Sequence, residues 1–532
     1  MSDEWWRGAV IYEIYPRSFQ DSDGDGIGDL PGIIRRLDHI ADLGVDAVWI
    51  APFYASPMAD FGYDVSDYCA VDPLFGTLAD FDRLIERAHG LGLRVLIDQV
   101  WSHTSDRHPW FLESCQDPKG AKADWFVWAD ARPDGGPPNN WLSVFGGPAW
   151  RWDPRRRQYY LHHFLSSQPK LNLRHPDVLA ALTRVGEFWL ARGVDGFRLD
   201  AVDFMAHDPA LRDNPPRPPA GGIVPLKPFG LQDHLYDMAH PDTVDITRHI
   251  RALTERHPGT ATIAEVSSEF DALQRASAYT GGNGERLHMA YTLRLMGGDF
   301  GAAHLRAAIT AVEDRFADDG WLCWAFSNHD VARVASRWGD GSPDCAKMLL
   351  TLLLSLRGSV CLYQGEELGL SEADLPHTAL RDPYGINFWP QFKGRDGCRT
   401  PMPWQAASPQ AGFTTGAPWL PVPEAHRRLA VDLQEADPSS VLAAARRFLA
   451  WRRDQPALRT GDLRLIEADS QIVAFERATP AQRLLCAFNT APSPVVMPLA
   501  DGWRPATHWP AQPEQTGGRV RLPPYGCFFA GI

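Results

Sequence analysis

Short apolar runs alternate with longer amphipathic segments along most of the chain. Residues 9–14, 45–50 and 93–98 are mostly apolar and short, as buried strands are. Between them, residues 30–43 and 77–91 repeat apolar positions every three or four residues, as amphipathic helices do. Strands that alternate with helices predict βα units around a parallel sheet.

The same alternation continues to residue 363, with a further helix predicted over residues 176–192. The predicted strands are residues 9–14, 45–50, 93–98, 194–200, 261–265, 287–291, 321–326 and 359–363. Eight parallel strands predict an α/β fold of the (β/α)8 TIM barrel type.

Two stretches do not follow this alternation of strands and helices. The chain after His103 is rich in Pro, Gly, Trp and Asn up to about Asn172, which predicts a small domain inserted after the third strand. From Leu463 onward only strand-like runs occur, which predicts a C-terminal antiparallel β-domain. We therefore expect a catalytic barrel (1–104 and 172–458, domain A), an inserted domain (105–171, domain B) and a C-terminal β-sandwich (459–532, domain C).

Composition narrows the possible functions. The chain has 532 residues, of which 44% are hydrophobic and 22% charged, as in a folded globular protein. Its net charge of −14, without a tract dense in Lys or Arg, argues against binding nucleic acid. No basic start followed by an apolar run is visible, and no apolar stretch reaches the roughly 20 residues that span a bilayer, so we expect a cytoplasmic protein without a membrane partner.

Polar residues stand at or just beyond the C-terminal ends of several predicted strands. In a barrel of this type the active site lies where the strands end, so these residues are the candidates for catalysis. They are Asp98 and His103, Arg198 and Asp200, Glu265, and His329 and Asp330. Arg198 and Asp200 share one face of a strand, so we expect the cation to keep this carboxylate ionised. A single acid at a strand end is often structural, but several converging acids are typical of a glycosidase.

Several motifs identify a family resemblance. Residues 96–103 (LIDQVWSH), 196–202 (GFRLDAV), 264–266 (AEV) and 327–330 (SNHD) resemble the four signature regions of glycoside hydrolase family 13, the α-amylase superfamily. Residues 61–68 (FGYDVSDY), 168–172 (QPKLN) and 394–404 (GRDGCRTPMPW) are similar to its α-glucosidase and oligo-1,6-glucosidase branch. Lys170 stands where that branch usually has Asp, and Ser102 where it usually has Asn.

The resemblance implies a role for each matching residue. Asp200 is the expected nucleophile, Glu265 the general acid/base and Asp330 the stabiliser of the transition state, with Arg198 orienting the nucleophile. The residues expected to hold the terminal glucose or line its pocket are Asp64, Tyr63, His103, His329, Arg395, Phe145 and Phe164. For Phe145 and Phe164, a purely packing role is the alternative.

The resemblance also implies an activity. We expect a retaining, exo-acting α-glucosidase that hydrolyses terminal non-reducing α-linked glucose and transfers it to hydroxyl acceptors. Ala201 follows the nucleophile where Val is associated with α-1,6 preference, which favours α-1,4 substrates such as maltose. The expected partners are therefore small α-glucosides, and the protein is expected to be a monomer or a homodimer.

Three alternatives stay open. The chain can be a sucrose hydrolase or isomerase, or a dedicated α-glucosyltransferase of the same family, because these enzymes share the residues named above. The third is a non-catalytic relative associated with membrane transporters. Such relatives lose the catalytic acids and carry a membrane helix, whereas this chain has all three acids and no such helix.

An Asp-rich segment near the start is a candidate metal site. Residues 21–29 (DSDGDGIGD) place acids two positions apart around glycines, and oxygen ligands at this spacing suit Ca²⁺ or Mg²⁺. Related enzymes bind such an ion through positions matching Asp21, Asp23, Asp25, the Ile27 carbonyl and Asp29. We expect a structural ion that braces the loop, and no organic cofactor. The alternative is an Asp- and Gly-rich turn without an ion.

Overall fold

An eight-stranded parallel sheet forms the centre of the molecule. The computed structural model describes residues 4–218, 225–267, 271–292, 297–317, 319–506 and 513–532. The eight strands lie in the order β11-β10-β9-β5-β2-β1-β13-β12, and a parallel bridge between Ala290 and Leu322 joins its two edges. Each of them coincides with a strand predicted from the sequence, so the barrel fold is confirmed.

The strands of the described residues are β1 (Val10–Ile14), β2 (Ala47–Ile50), β3 (Tyr54–Ala55), β4 (Asp67–Val71), β5 (Arg94–Gln99), β6 (Trp128–Ala129), β7 (Trp150–Asp153), β8 (Gln158–Leu161), β9 (Gly196–Leu199), β10 (Ala261–Val266), β11 (Met289–Thr292), β12 (Cys323–Ala325), β13 (Ser359–Tyr363), β14 (Asp462–Ile466), β15 (Ile472–Thr479), β16 (Gln482–Asn489), β17 (Val495–Pro498), β18 (Arg504–Pro505), β19 (Glu514–Thr516), β20 (Arg519–Leu522) and β21 (Cys527–Gly531).

The helices are α1 (Leu30–Leu43), α2 (Leu78–Gly90), α3 (Pro109–Gln116), α4 (Pro176–Leu190), α5 (Asp242–Thr254), α6 (Ala272–Thr280), α7 (Ala302–Arg315), α8 (Val334–Arg337), α9 (Pro343–Ser355), α10 (Pro383–Phe388), α11 (Glu424–Arg427), α12 (Val431–Ala436), α13 (Val441–Arg453) and α14 (Pro456–Thr460). Local sequence fixes their ends. For example, the Thr77 side chain accepts a hydrogen bond from the backbone of Asp80 while Asp80 caps Thr77 in return, which starts α2.

The barrel strands bury both of their faces. Inside the barrel, an apolar cluster includes Ile11, Trp49, Leu96, Ile263 and Met289. The opposite faces of the strands pack against the surrounding helices in a second and larger cluster. Because both faces are buried, these strands are nearly continuous apolar runs, and a polar residue within one of them marks a special position.

Among the described residues, four smaller sheets lie outside the barrel. Strands β6, β7 and β8 form an antiparallel sheet within residues 128–161, and β3 pairs with β4. At the C-terminal end of the chain, β14, β15, β16, β18 and β21 form one antiparallel sheet and β17, β19 and β20 another. The predicted C-terminal antiparallel β-domain is thereby confirmed, whereas the domain limits at 105–171 and 459–532 stay predictions.

A buried arginine links the C-terminal sheets to the barrel. Arg477 of β15 donates hydrogen bonds to the carbonyl oxygens of Ser355, at the end of α9, and Gly461, at 2.6 and 2.8 Å.

Among the described residues, no helix combines the length and the apolar surface that crossing a membrane requires.

Candidate active site

Polar side chains enter the barrel interior at the carboxyl ends of its strands. Along each strand, alternate residues face inward, so Asp98 follows the interior Leu96 and Glu265 follows the interior Ile263. Asp98 pairs in register with Arg198 of the neighbouring strand β9. These residues therefore form a charged layer directly above the apolar filling of the barrel.

Arg198 is the centre of this layer. Its guanidinium lies 2.8 Å from Asp98, 2.8 Å from Asp200 and 2.7 Å from Glu265, and its side chain is fully buried. It also donates a hydrogen bond of 2.8 Å to the Tyr291 hydroxyl. Three acids from three adjacent strands thus share one cation, and the structure brings the predicted Asp200 and Glu265 together.

Burial controls the protonation of these acids. Burial raises the pKa of Asp200 to about 7 and that of Glu265 to about 7, although Arg198 opposes both shifts. Burial likewise raises the pKa of Asp98 to about 6. Arg198 therefore does not fully offset the burial of Asp200, contrary to the expectation that this cation keeps Asp200 ionised. The three acids share protons near neutral pH.

The backbone after Asp200 links two of the acids. Ala201 has left-handed dihedral angles (φ 44°, ψ 51°), and its N–H donates a 2.8 Å hydrogen bond to Glu265. Asp200 itself follows the end of β9, where its N–H donates to the carbonyl of Gln99. The turn that carries Asp200 thus also fixes the carboxyl group of Glu265.

His329 lies in an aromatic stack beside the charged layer. Its ring lies between Tyr63, with centroids 5.3 Å apart, and Tyr15, at 5.7 Å. Its Nε2 is 2.7 Å from the Tyr63 hydroxyl, which donates a hydrogen bond to Asp98, and its Nδ1 is 2.5 Å from Glu13. Burial lowers the pKa of His329 to about 3, so its ring is neutral.

Asp330 belongs to a second ionic network. Arg399 donates a 2.7 Å hydrogen bond to Asp330, and Arg395 donates one of 3.2 Å. Arg395 also lies 2.7 Å from Asp60 and 2.8 Å from Asp382. Burial acts to raise the pKa of Asp330, but His329 and these two arginines outweigh it and hold that pKa below its usual range. Asp330 is therefore ionised at neutral pH.

Asp64 does not reach either network, contrary to its predicted role. Its side chain is fully buried and accepts hydrogen bonds from Ser56, Ala59 and Asp60 at 2.9 to 3.0 Å. These bonds lie within the loop between β3 and β4 and hold its shape. Asp60, in the same loop, does contact a site residue, because it forms an ion pair with Arg395.

His103 and the two predicted phenylalanines border the same region. His103 Nε2 lies 2.9 Å from the Tyr63 carbonyl oxygen, and Ser102 supplies a hydroxyl 2.8 Å from Nδ1. Burial lowers the pKa of His103 to about 4. Phe164 is 5.3 Å from the His103 ring, and the Arg395 guanidinium is 5.2 Å from the Phe145 ring. The structure thus places both aromatic rings against site residues.

Sequence analysis missed several members of the site. Asp60 stands three residues before Tyr63, directly before the motif of residues 61–68, and Arg399 stands four residues after Arg395 within the motif of residues 394–404. Glu13 is a fully buried acid inside an apolar strand, which is itself a signal of a special position. Asp382 lies outside every motif, and only its ion pair with Arg395 reveals it.

The Asp-rich loop brings three carboxylates together, far along the chain from the acids of the barrel. Ligand oxygens of Asp21, Asp23 and Asp29 lie within 4.8 Å of one another. Burial and the neighbouring Asp21 raise the pKa of Asp29. Closely spaced carboxylate oxygens fit a hard divalent cation such as Ca²⁺ or Mg²⁺, which would offset their repulsion. Asp25 accepts a hydrogen bond from the Ile27 N–H and lies outside this group of three.

Comparisons with known proteins agree with this architecture. The family model for the alpha amylase catalytic domain matches residues 13–461. A protein of Rhizobium meliloti (strain 1021) named probable alpha-glucosidase is 52% identical over 537 residues, which covers 99% of this chain and 97% of that protein.

Solved structures extend the similarity. The alpha-glucosyl transfer enzyme XgtA superposes with a TM-score of 0.96 at 53% identity, and 99% of each chain is covered. The trehalulose synthase MutB of Pseudomonas mesoacidophila MX-45 gives a TM-score of 0.88 at 31% identity, again over 99% of each chain. The chain belongs to the α-amylase family of glycoside hydrolases, family 13, in its α-glucosidase and oligo-1,6-glucosidase branch.

Proposed function

We propose that the protein is a retaining, exo-acting α-glucosidase that removes terminal non-reducing α-linked glucose and also transfers it to hydroxyl acceptors. The observation that carries this proposal is the sharing of Arg198 by Asp200 and Glu265 at the mouth of the barrel. Retaining enzymes need two carboxyl groups about 5–5.5 Å apart, one to attack and one to transfer a proton. A common guanidinium keeps these two groups close to each other.

The reaction assigns one step to each acid. The ionised Asp200 attacks the anomeric carbon while Glu265 donates its proton to the leaving oxygen, giving a β-linked glucosyl enzyme and a free hydroxyl compound. Glu265, now ionised, then takes a proton from water or from an acceptor hydroxyl, whose oxygen displaces Asp200 with overall retention. The ionised Asp330 stabilises the positive charge that develops on the sugar ring.

The residues around these acids hold the terminal glucose. Asp60 and Arg395 offer a fixed acceptor and a donor for sugar hydroxyls, and the neutral rings of His103 and His329 offer uncharged polar contacts. Tyr63, Phe145 and Phe164 supply apolar faces against the ring, as in other sugar sites. In this proposal Asp60 takes the role that the family resemblance implied for Asp64.

Small α-1,4-glucosides such as maltose are the proposed substrates. Ala201 supports this preference, and the similarity to a probable alpha-glucosidase supports hydrolysis. The similarity to an α-glucosyl transfer enzyme favours a second candidate, a dedicated α-glucosyltransferase. Glucose release and transfer products from maltose and sucrose, with and without an added alcohol acceptor, separate the two functions and detect sucrose conversion.

The first prediction concerns the nucleophile. Asp200→Asn is expected to lower kcat on maltose by roughly 10⁴-fold or more while circular dichroism and melting stay close to wild type, because an amide does not attack the anomeric carbon. NMR of wild-type turnover is expected to show α-glucose first. Near-normal turnover by Asp200→Asn, or β-glucose as the first anomer, would contradict the mechanism.

The second prediction concerns pH. Because the pKa values of Asp200 and Glu265 are both raised to about 7, kcat/KM for maltose is expected to follow a bell with its maximum near neutral pH. Below this range Asp200 is protonated and does not attack, and above it Glu265 is ionised and does not donate. Glu265→Gln, assayed with α-glucosyl fluoride, whose leaving group needs no proton, is expected to lose the alkaline limb. An unchanged alkaline limb would remove Glu265 from the acid role.

The third prediction separates Asp60 from Asp64. Asp60→Asn is expected to raise KM for maltose about 10-fold, because a charged hydrogen-bonding partner contributes roughly 1.5–3 kcal/mol. Asp64→Asn is expected to lower the melting temperature while changing KM less, because its carboxylate holds only the loop. The reverse pattern in steady-state kinetics and calorimetry would restore the role first assigned to Asp64.

We also propose that Asp21, Asp23 and Asp29 hold a structural Ca²⁺ or Mg²⁺, with the Ile27 carbonyl and Asp25 as additional ligands. The support is the convergence of three carboxylates described above. The ion would brace the loop that precedes α1, whose N-cap residue is Asp29.

The fourth prediction tests this ion. Adding Ca²⁺ or Mg²⁺ to chelator-treated protein is expected to raise the melting temperature by several degrees, since a ligand that binds only the folded state stabilises it. Asp23→Asn is expected to remove this gain, and Asp42→Asn, a change at an exposed acid of α1, is expected to retain it. Identical melting curves in chelator and in either metal would exclude the site.

A further inference from the structure

Lys170 is a buried cation next to the turn that carries Asp200. Its side chain is only 1% exposed. It occupies the position in residues 168–172 where related enzymes usually have Asp. Burying an ammonium group costs free energy unless its surroundings supply hydrogen bonds or opposite charge. The contacts of Lys170 therefore show what compensates this cost.

Carbonyl oxygens bind this ammonium group. Its Nζ donates hydrogen bonds to the carbonyl of Phe204 and, at 3.2 Å, to that of Met205. These two carbonyls end the short 3-10 helix Val202–Phe204, which begins immediately after Ala201. The Lys170 side chain therefore holds the C-terminal end of the turn that begins after Asp200.

Ala201 explains why this turn needs to be held. Its left-handed backbone (φ 44°) is unfavourable for a residue with a Cβ by roughly 1–2 kcal/mol, and such conformations persist only where the surroundings fix them. The Ala201 N–H must also remain aligned with Glu265, to which it donates. If the turn relaxed, both Asp200 and Glu265 would lose their positions.

The same segment also holds the sugar-binding side of the site. Gln168, two residues earlier, donates a 3.0 Å hydrogen bond to Asp60 and lies 3.2 Å from His103. The Lys170 N–H donates to Leu161, and its carbonyl accepts from Val127. Segment 168–170 thus joins the strands of the inserted region to both the proposed glucose-binding residues and the turn after Asp200.

We propose that Lys170 is a positioning residue for the glucosyl transfer: its ammonium group holds the turn of residues 201–205 and thereby aligns Asp200 and Glu265. This inference rests on the proposed function of these two acids. Lys170 does not contact the substrate in this proposal, so its effect falls on the chemical steps rather than on sugar binding.

The electrostatic surroundings of Lys170 agree with a role other than ion pairing. Among the described residues, the titratable groups that interact with the Lys170 charge include Arg174, His103, His163 and His207, and none of these four is an acid. Burial lowers the pKa of Lys170 to about 7. Burying an ammonium group is itself costly, so removing it offsets part of the cost of losing its two hydrogen bonds. Its removal is therefore expected to cost activity more than stability.

The test compares Lys170→Met, Lys170→Gln and the control Lys347→Met, which changes a partly exposed lysine on α9. Lys170→Met is expected to lower kcat on maltose about 10-fold with KM changed less than about 2-fold, because small misplacements of reacting groups are expensive. Lys170→Gln keeps an N–H donor and is expected to recover part of this loss. Lys347→Met is expected to match wild type, and Lys170→Met to melt close to the wild-type temperature.

Ala201→Gly provides an independent readout. Glycine adopts the left-handed backbone without strain, so the turn needs less support, and Lys170→Met is expected to lower kcat less in the Ala201→Gly background than in wild type. Wild-type kcat in Lys170→Met would overturn the inference. So would a lower kcat accompanied by a lower melting temperature and simple additivity with Ala201→Gly, which indicates a purely structural role. Failure of the proposed function itself is recognised separately, by an active Asp200→Asn enzyme.

Discussion

The sharing of Arg198 by three carboxyl groups is the interaction on which the site depends. A buried guanidinium compensates the charge of Asp98, Asp200 and Glu265 only in part, so fully ionised acids would leave excess negative charge in a fully buried place. Burial raises the pKa values of these acids, and the charge of Arg198 offsets this effect only in part. A proton is therefore held within the cluster near neutral pH, which is what a general acid requires.

The pKa of Asp330 is shifted in the opposite direction, below its usual range. Arg395 and Arg399 both bind Asp330, and the pKa of this acid is lowered although it is buried. Burial raises the pKa of Asp200 and of Glu265, whereas at Asp330 the nearby His329 and the two arginines outweigh burial. The arrangement provides a fixed negative charge next to a group that exchanges protons, and the two functions do not compete for the same carboxylate.

The sequence predicted the parts of this site that follow from strand periodicity. Arg198 and Glu265 lie on barrel strands, where alternate residues face inward, so their convergence could be predicted once the strands were placed. Asp60 and Asp64 lie on a loop in which Phe61 (φ 52°) and Gly62 (φ 110°) have positive φ. No alternation holds across such a segment, so the sequence did not show which acid faces the site.

The protonation of Asp200 was mispredicted for a related reason. A neighbouring cation two residues away is visible in the sequence, and it indicates a lowered pKa. Asp98 and Glu265 interact with the same cation. They are 102 and 65 residues away from Asp200 in the chain, and they become its neighbours only through the pairing of β5, β9 and β10. Long-range strand pairing, rather than local sequence, decides how one charge is divided.

The backbone at Ala201 makes the positions of the two central acids interdependent. Glu265 is held by the N–H of the residue that follows Asp200, so a change in the turn moves the proton donor together with the nucleophile. A residue with a Cβ at this strained position stores energy that the surrounding contacts must balance, and those contacts come from the segment that also touches Asp60 and His103. The contacts of this segment therefore connect the proposed glucose-binding residues to the turn that aligns the two acids.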